Sequence, residues 1–281
     1  MSSVLYDAPG PRARARNRLL AGVFALLLLA LAYFVYVKFD QKGQWAAEKW
    51  RPLVQADVWR TYLLPGIRGT ITAALTAGVL ALMLGAVLGV GRLSDHLWVR
   101  IPAGTVVEFF RAIPLLILIF FAFFGSYAIL QTSISAFTAV VFGLTLYNGS
   151  VIAEIVRAGV LAVPRGQSEA AYAIGLRKGA VMRLILLPQA VRSMLPVLIS
   201  QLVVLLKDSA LGFIIAYVEL LHQTDQIGAQ FGNVVQASIL VAAIYIVLNL
   251  GLGWLATAVE QRGRRRGQRV LRADQRTLET A

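Results

Sequence analysis

Six long apolar stretches restrict the fold of this sequence more than any other feature. Each has at least 19 residues, enough for an α-helix to cross the ~30 Å hydrocarbon core of a bilayer. Backbone polar groups in lipid need partners inside the chain, and these stretches lack the alternation of a barrel wall. We therefore predict an all-α, polytopic transmembrane helix bundle with spans at Leu19–Val37, Gly69–Gly91, Ala112–Leu130, Ser133–Ala153, Ser193–Val218 and Val234–Val259.

The basic residues lie beside these stretches, and their positions predict the orientation of the chain. The sequence holds 27 Lys and Arg against 14 Asp and Glu, which gives a net charge of +13. With six spans every strongly basic segment falls on one side, the cytoplasmic side, because Lys and Arg are retained there. We predict two cytoplasmic termini, contact with membrane lipid and no nucleic-acid partner. The basic segments are Arg12–Arg18, Arg92–Arg100, Arg165–Arg192 and Arg262–Arg276.

The first apolar stretch, residues 19–37, is compatible with a signal peptide or with a retained anchor. It is longer than a signal-peptide core of about 7 to 15 residues, and it ends in aromatic side chains that suit a membrane interface. We predict a retained span between a basic cytoplasmic segment (residues 1–18) and an external interfacial segment (residues 38–65). We expect the basic tail, residues 260–281, to lack fixed structure from Gln261 onward.

Sequence motifs of catalysis and nucleotide binding are missing. The chain has no cysteine, two histidines and no Gly-Lys dipeptide, so a GxxxxGK[ST] phosphate loop is excluded. It also lacks HExxH and GxSxG. We predict no metal, no cofactor and no enzymatic activity. If ATP drives this protein, another subunit must bind the nucleotide.

The loop after the fourth span has the signals of a helix, a turn and a second helix. Pro164 suits the first turn of a helix, and Gly175 can adopt the positive φ that ends one. The small side chains of Ala170 and Ala171 would let this helix enter a groove on a partner protein, with Glu169 as a hydrogen-bond acceptor. An ordinary cytoplasmic hairpin is the alternative.

This loop carries the pattern Glu-Ala-Ala, three residues, Gly, nine residues, Ile, one residue, Leu-Pro. It resembles the signature loop of the membrane subunits of bacterial ABC importers. The resemblance implies a type I importer permease, an ATPase dimer that receives the loop in a cleft, a second permease subunit (a paralogue or a second copy) and an extracytoplasmic solute-binding protein. The matching residues are Glu169, Ala170, Ala171, Gly175, Ile185, Leu187 and Pro188.

Further motifs between Gly66 and Ala258 resemble the polar amino-acid branch of this family. The resemblance implies a five-span core, here residues 66–259 with a coupling loop at 162–192, in a bacterial cytoplasmic membrane. Ala112 departs from the branch, where glycine is usual, and the span at 19–37 is an addition. Such an extension resembles the longer permease subunit of actinobacterial glutamate-uptake systems. The motifs are Phe110–Leu115, Leu146–Gly149 with Ala153–Glu154, Leu187–Ala190 and Leu205–Leu211.

Polar residues inside the spans are the candidates for a substrate path. Lys207 lies about 20 Å into the fifth span, where a charge in lipid is costly. We expect it to attract a substrate carboxylate, with Asp208 holding the substrate amine or a structural partner. A buried ion pair, with Glu154 or with another subunit, is the alternative. Asn148, beside the space left by Gly149, can hydrogen-bond a zwitterion.

Two residue pairs have structural interpretations. Glu154 and Arg157, three residues apart, can form an ion pair at the cytoplasmic end of their span. Gly85 and Gly89 are spaced for a close approach of two helices, within the chain rather than between copies.

The sequence predicts the permease subunit of an ATP-driven importer of polar amino acids, glutamate or a relative. An ion-coupled secondary transporter, with its ion site at Glu154, Lys207 and Asp208, is one alternative. An intramembrane enzyme or a receptor whose loop anchors a signalling partner is the other.

Overall fold

A computed structural model of the chain describes the backbone of residues 10–279, and their side chains except at positions 130, 255, 256 and 259–279. Within these residues the secondary structure is helical, without a strand, which confirms the all-α prediction. The chain divides into two compact units between Val54 and Gln55.

The first unit contains one long helix and a short aromatic cap. Helix α1 (Pro11–Gln41) includes the predicted first span and starts eight residues before it. A turn at Gly43, with φ of 60°, leads to α2 (Ala47–Trp50) and a 3₁₀ turn (Arg51–Val54). The Trp45 ring lies between Tyr36 and Trp50, with centroid distances of 5.7 and 6.4 Å. This aromatic cluster closes the end of α1, as expected for a membrane interface.

The second unit holds the rest of the bundle. Its first long span is continuous from Ala56 to Gly91, and the other candidate spans are Ala136–Leu161, Lys178–Ile215 and Val234–Trp254. The helices are α3 (Ala56–Val58), α4 (Leu64–Gly91), α5 (Leu97–Ala112), α6 (Leu115–Leu130), α7 (Ala136–Leu161), α8 (Arg165–Ala173), α9 (Lys178–Val181), α10 (Leu187–Asp208), α11 (Leu220–Phe231) and α12 (Val234–Glu279).

Two π-helical turns inside the long spans each end two residues before a proline. They cover Trp59–Leu63, before Pro65, and Met182–Leu186, before Pro188. A proline cannot donate the usual i→i−4 hydrogen bond, and a π turn absorbs the resulting mismatch without ending the helix. Each span therefore passes its proline unbroken. After α10 a 3₁₀ helix (Ser209–Ile215) completes the last part of its span.

The third predicted span, Ala112–Leu130, differs from the structure. Helix α6 begins three residues later, at Leu115, and has only 16 residues, or about 24 Å. It forms a bent pair with α5, at an angle of 96°. Pro114 causes the bend, because the residue before a proline, Ile113, is extended with φ −87° and ψ 130°. The described residues thus contain five candidate spans, or six if the bent pair counts as one.

Helices α4 and α7 pack closely at the two glycines singled out in the sequence. A Cβ atom at Gly85 would lie 2.5 Å from Ile152 Cγ2, and one at Gly89 would lie 2.7 Å from Val156 Cβ. The prediction of close packing within the chain is confirmed. Around this seam lie Ala77, Ala81 and other buried small side chains of α4, so van der Waals contact holds the bundle together.

Two further segments differ from expectation. Helix α12 continues through the basic tail to Glu279, so the expectation of a tail without fixed structure was wrong for the backbone. The link between the predicted fifth and sixth spans contains helix α11.

Candidate functional site

The predicted coupling loop is a short helix closed by a Schellman turn. Helix α8 runs from Arg165 to Ala173, and Gly175 follows it with φ of 82°. The Leu176 N–H donates to Ala171 O at 3.1 Å, and the Gly175 N–H donates to Tyr172 O at 2.9 Å. These are the two hydrogen bonds of the motif, which needs a residue of positive φ at the Gly175 position. Pro164 is the N-cap, one residue outside the helix.

The loop buries one face and exposes the other. Ala171 is buried, while Glu169 and Ala170 point to the surface beside exposed Tyr172 and Ile174. Of the remaining motif residues, Ile185 and Leu187 are half-buried and Pro188 is exposed.

Polar contacts attach both ends of the loop to neighbouring segments. The Lys178 ammonium donates to Leu93 O at 3.1 Å and to the Asp95 carboxylate. The hydrogen bond from Lys178 lowers the pKa of Asp95, which therefore stays ionised. Gln189 Nε2 donates to Gln167 Oε1 at 3.3 Å. Lys178 thus ties the start of α9 to the α4–α5 connection, and Gln167 ties α8 to helix α10.

A cluster of five charged residues lies near this end of the bundle. Glu154 accepts hydrogen bonds from Arg157 Nε and Nη2, at 3.1 and 2.6 Å, as the sequence predicts. Arg92 Nη1 lies 2.8 Å from Glu154 Oε2, at an angle outside the hydrogen-bonding range, and Arg92 Nη2 donates to Glu108 at 3.0 Å. Arg111 completes the cluster. Glu154 therefore joins the ends of α4, α5 and α7.

Asn148 does not face an open space in this conformation. It is fully buried, its Nδ2 donates to Leu144 O, and its Oδ1 accepts from Gln201 Nε2 at 2.7 Å. The expectation of room beside it was wrong, since Leu84 fills the space at Gly149, 2.9 Å from where a Cβ would lie. In this state Asn148 links α7 to α10.

Lys207 and Asp208 lie at the end of α10, and they differ in how much of each side chain is exposed. Lys207 is exposed and lines a groove of about 470 Å³, while Asp208 is half-buried. The alternative of a Lys207–Glu154 ion pair is wrong for the described side chains, because Glu154 is held by arginines. The groove runs between α10 and α12 and is lined by Pro196, Ile199, Ser200, Val203, Val204, Lys207, Gly253 and Thr257.

A second groove, of about 550 Å³, lies between α4, α10 and α12 and is almost wholly hydrocarbon. It offers no hydrogen-bonding side chain to a zwitterion and suits acyl chains or another apolar helix. Its lining residues are Ile71, Ala74, Leu75, Gly78, Val79, Leu82, Leu202, Leu206, Val247, Leu248, Gly251 and Leu252.

The sequence reasoning missed Glu219, a fully buried carboxylate at the opposite end of the bundle from the coupling loop. It accepts hydrogen bonds from the N–H groups of Leu221 and His222, as the N-cap of α11. A signal for this helix was present, since an acidic residue precedes twelve helical residues that end at Gly232, of φ 64°.

A bundle of several apolar helices long enough to cross a bilayer is the fold of a multi-pass membrane protein. The chain belongs to the family of binding-protein-dependent transport system inner membrane components, whose model matches residues 81–265. This confirms the predicted family, a permease component of ABC transport systems, and a multi-pass membrane protein.

Curated relatives cover most of the chain. The glutamate transport system permease protein GluD of Corynebacterium glutamicum is 48% identical over 78% of this chain and 81% of its own length. The arginine transport system permease protein ArtQ of Bacillus subtilis is 32% identical over 72% of this chain and 92% of its own.

Solved structures share the fold. A crystal structure of an amino acid ABC transporter with histidines matches with a TM-score of 0.67 and 31% identity, over 71% of this chain and 92% of that one. The MetNI methionine ABC transporter, at 22% identity, matches with a TM-score of 0.62, which supports the fold alone. The predicted importer-permease fold is confirmed.

Proposed function

We propose that this chain is the permease subunit of an ATP-driven importer of glutamate or a closely related amino acid. The observation that carries the proposal is the exposed α8 surface, which a Schellman turn at Gly175 holds in one shape. A rigid docking helix on a membrane bundle needs a partner that moves it. The 48% identity to a glutamate permease supports the choice of substrate.

In this proposal the energy comes from a cytoplasmic ABC ATPase dimer, since this chain itself supplies no phosphate loop. The ATPase receives Glu169, Ala170 and Ala171 in a cleft, so α8 and both termini lie in the cytoplasm. Nucleotide-driven movement of α8 passes through Lys178 to the α4–α5 connection and through Gln189 to α10.

The substrate path in this proposal runs along the exposed face of α10 and α12. A second permease subunit, paralogous or identical, would cover this face, and a solute-binding protein would deliver the amino acid from outside. Lys207 would then meet a substrate carboxylate in a water-filled path instead of in lipid, which removes the cost of an isolated charge. Asp208, Glu154 and Asn148 remain secondary candidates, which require movement of α10 before they reach the path.

The test is glutamate uptake by proteoliposomes that contain this chain with its ATPase, permease and binding-protein partners. We expect uptake to need internal ATP and to persist when a protonophore collapses the proton gradient. An ATPase subunit with an inactivated phosphate loop is the matched control and should abolish uptake. Uptake that survives the inactive ATPase but stops with the protonophore would instead establish the ion-coupled alternative.

A further inference from the structure

Glu219 occupies a position that the coupling function does not explain. It lies between the spans Lys178–Ile215 and Val234–Trp254, at the end of the bundle away from α8. Its side chain is 0% exposed. A buried carboxylate is costly unless several donors compensate it, so its retention at this site calls for a role.

Three donors converge on this carboxylate. Oε1 accepts from the His222 N–H at 2.6 Å, and Oε2 accepts from the Leu221 N–H at 2.7 Å. The Tyr245 hydroxyl, on α12, also donates to Oε2, at 2.7 Å. One side chain thus caps the start of α11 and fastens that helix to α12.

The residues around Glu219 fasten the same segment to α4. The Leu220 N–H donates to Thr70 Oγ1 at 3.2 Å, and the Tyr217 hydroxyl donates to Gly69 O at 2.8 Å. The contact is too close for a side chain, because a Cβ at Gly69 would lie 1.9 Å from Val218 O. The segment from Tyr217 to Leu220, with Glu219 inside it, is therefore the junction of α4, α11 and α12.

Helix α11 has the features of an element that can move as a unit. It has twelve residues, and left-handed residues flank it, Ala216 at φ 57° and Gly232 at φ 64°. A helix this short is marginal without tertiary contacts, so its position depends on the junction.

We propose that Glu219 is a positioning residue that latches α11 over the outer end of the translocation path and lets it go when the transporter opens outward. This inference rests on the proposed function, which places α8 in the cytoplasm and α11 outside. The latch acts through hydrogen bonds to α11 and α12 and needs no contact between Glu219 and the substrate.

The surroundings of the carboxylate give the latch a pH dependence. Burial raises the pKa of Glu219 above its usual 4.5, although the three hydrogen bonds oppose this and Asp225 on α11 adds to it. The other titratable groups near it are Tyr245 from α12 and Tyr217 from the preceding segment, while α4 contributes the neutral Thr70 and His222 donates only through its backbone N–H.

The direction of the pH effect on α11 release follows from the difference in proton binding between the docked and the released state. The docked helix holds the Glu219 proton more tightly than water would, so release of α11 also releases the proton. Rising pH therefore favours opening, from the ordinary glutamate pKa of 4.5 up to the raised pKa of the docked state.

The experiment uses the absence of cysteine from the native chain. Thr224→Cys places a thiol at an α11 position that is 3% exposed in the docked state. The assembled transporter in intact cells is treated with a membrane-impermeant maleimide between external pH 5.5 and 7.5. The labelling rate then measures how often α11 leaves its site. An exposed Gln226→Cys control gives the change in rate that comes from ionisation of the thiol alone, and the Thr224→Cys rates are corrected for it.

Three variants in the Thr224→Cys background separate the hydrogen bonds of Glu219, its titrating proton and the nearby charge of Asp225. Glu219→Ala removes the latch and should label roughly tenfold faster, as expected when buried hydrogen-bond donors lose their acceptor. Glu219→Gln keeps an acceptor without a titrating proton, so its corrected labelling should not change with pH. Asp225→Asn removes an exposed charge from the same helix and should retain the pH dependence.

The outcomes decide the proposal. Labelling of Glu219→Ala at the native rate would overturn the latch, and a Glu219→Gln profile identical to the native one would overturn its pH dependence. If Glu219→Ala fails to assemble, Tyr245→Phe removes one of the three hydrogen bonds and should still accelerate labelling. The labelling rates do not test the proposed function. That function would be contradicted if the native transporter showed no ATP-driven glutamate uptake.

Discussion

Lys207 carries its charge on an otherwise apolar part of α10. The free-energy cost of that charge depends on whether the exposed side chain faces lipid or water. A lysine left in lipid at mid-membrane costs at least about 3 kcal/mol. Ser200 and Thr257, which share its groove, direct their hydroxyl groups to the backbone carbonyls of Pro196 and Gly253. The ammonium is thus the strongest hydrogen-bond donor that this groove offers to an anion.

Replacement of this single side chain tests the carboxylate interaction. We expect Lys207→Met, which keeps the length and removes the charge, to raise the KM of glutamate uptake about tenfold, the worth of a charge-assisted hydrogen bond. Lys207→Arg, which keeps the charge, is the control and should stay closer to native. Glutamate affinity of the isolated binding protein must be unchanged in both. Native uptake affinity and rate in Lys207→Met would exclude the carboxylate role.

The glycines show which structural roles of single residues can be predicted from the sequence. The role of Gly85 in helix packing was predictable because a spacing of four residues on an apolar helix has few other uses. The role of Gly69 was not, because the atom that excludes a side chain there, Val218 O, is remote in sequence. The Asn148–Gln201 hydrogen bond joins residues 53 positions apart and is hidden for the same reason.

Among the elements, α8 and its turn follow most directly from the sequence. Their signals, Pro164 and Gly175, act on neighbouring residues, so local physics decides the shape. The 96° bend between α5 and α6 was missed because a hydropathy pattern continues through Pro114 while the backbone direction does not. Helix α11 was missed because its apolar face is matched to α4 and α12, not to lipid.

Gly175→Val tests the turn as a mechanical element. No neighbouring atom lies within 4 Å of a Cβ placed at Gly175, so the substitution acts through its φ of 82° alone. A positive φ costs a non-glycine residue about 1–2 kcal/mol, and a β-branched residue more. We expect membrane insertion to be normal, while co-purification with the ATPase and ATP-driven uptake fall.

The matched control for this turn is Gly179→Val. Gly179 also has open space around its Cβ position, and its φ is not in the positive range, so the same added volume brings no backbone strain. The Gly179→Val control should co-purify with the ATPase and show ATP-driven uptake as the native chain does. Normal co-purification together with normal uptake in Gly175→Val would refute the role of the turn.

At the scale of the whole molecule, polar contacts lie at both ends of the bundle and small apolar residues lie between them. The cytoplasmic end in our proposal has the cluster of Glu154 with four neighbouring charges, and the outer end has Glu219. Buried Ala73, Ala77 and Ala81 of α4 lie between these ends, and the glycine seam at Gly85 and Gly89 adjoins the Glu154 cluster. Composition could predict the bundle, whereas the hydrogen bonds that join the helices at each end could be seen only in the coordinates; the orientation from charge stays a prediction.

The division of the chain at Val54 predicts that transport belongs to the second unit. ArtQ, at 92% of its own length, aligns with only 72% of this chain, so a related permease spans its membrane with much less sequence. We therefore expect deletion of residues 2–54 to leave glutamate uptake within about twofold of native, as for a compact unit that folds by itself.

The orientation of the deleted form is the decisive measurement. The basic segments around Arg92 and Arg183 are retained, and they should keep α8 in the cytoplasm although the number of spans before it changes by one. An impermeant maleimide should therefore label Gln226→Cys in intact cells and leave Gly166→Cys unlabelled until the cells are opened. The full-length chain with the same cysteines is the control. A reversed labelling pattern, or loss of the ATPase from a correctly inserted deletion form, would show that the first unit is needed for the architecture of the second.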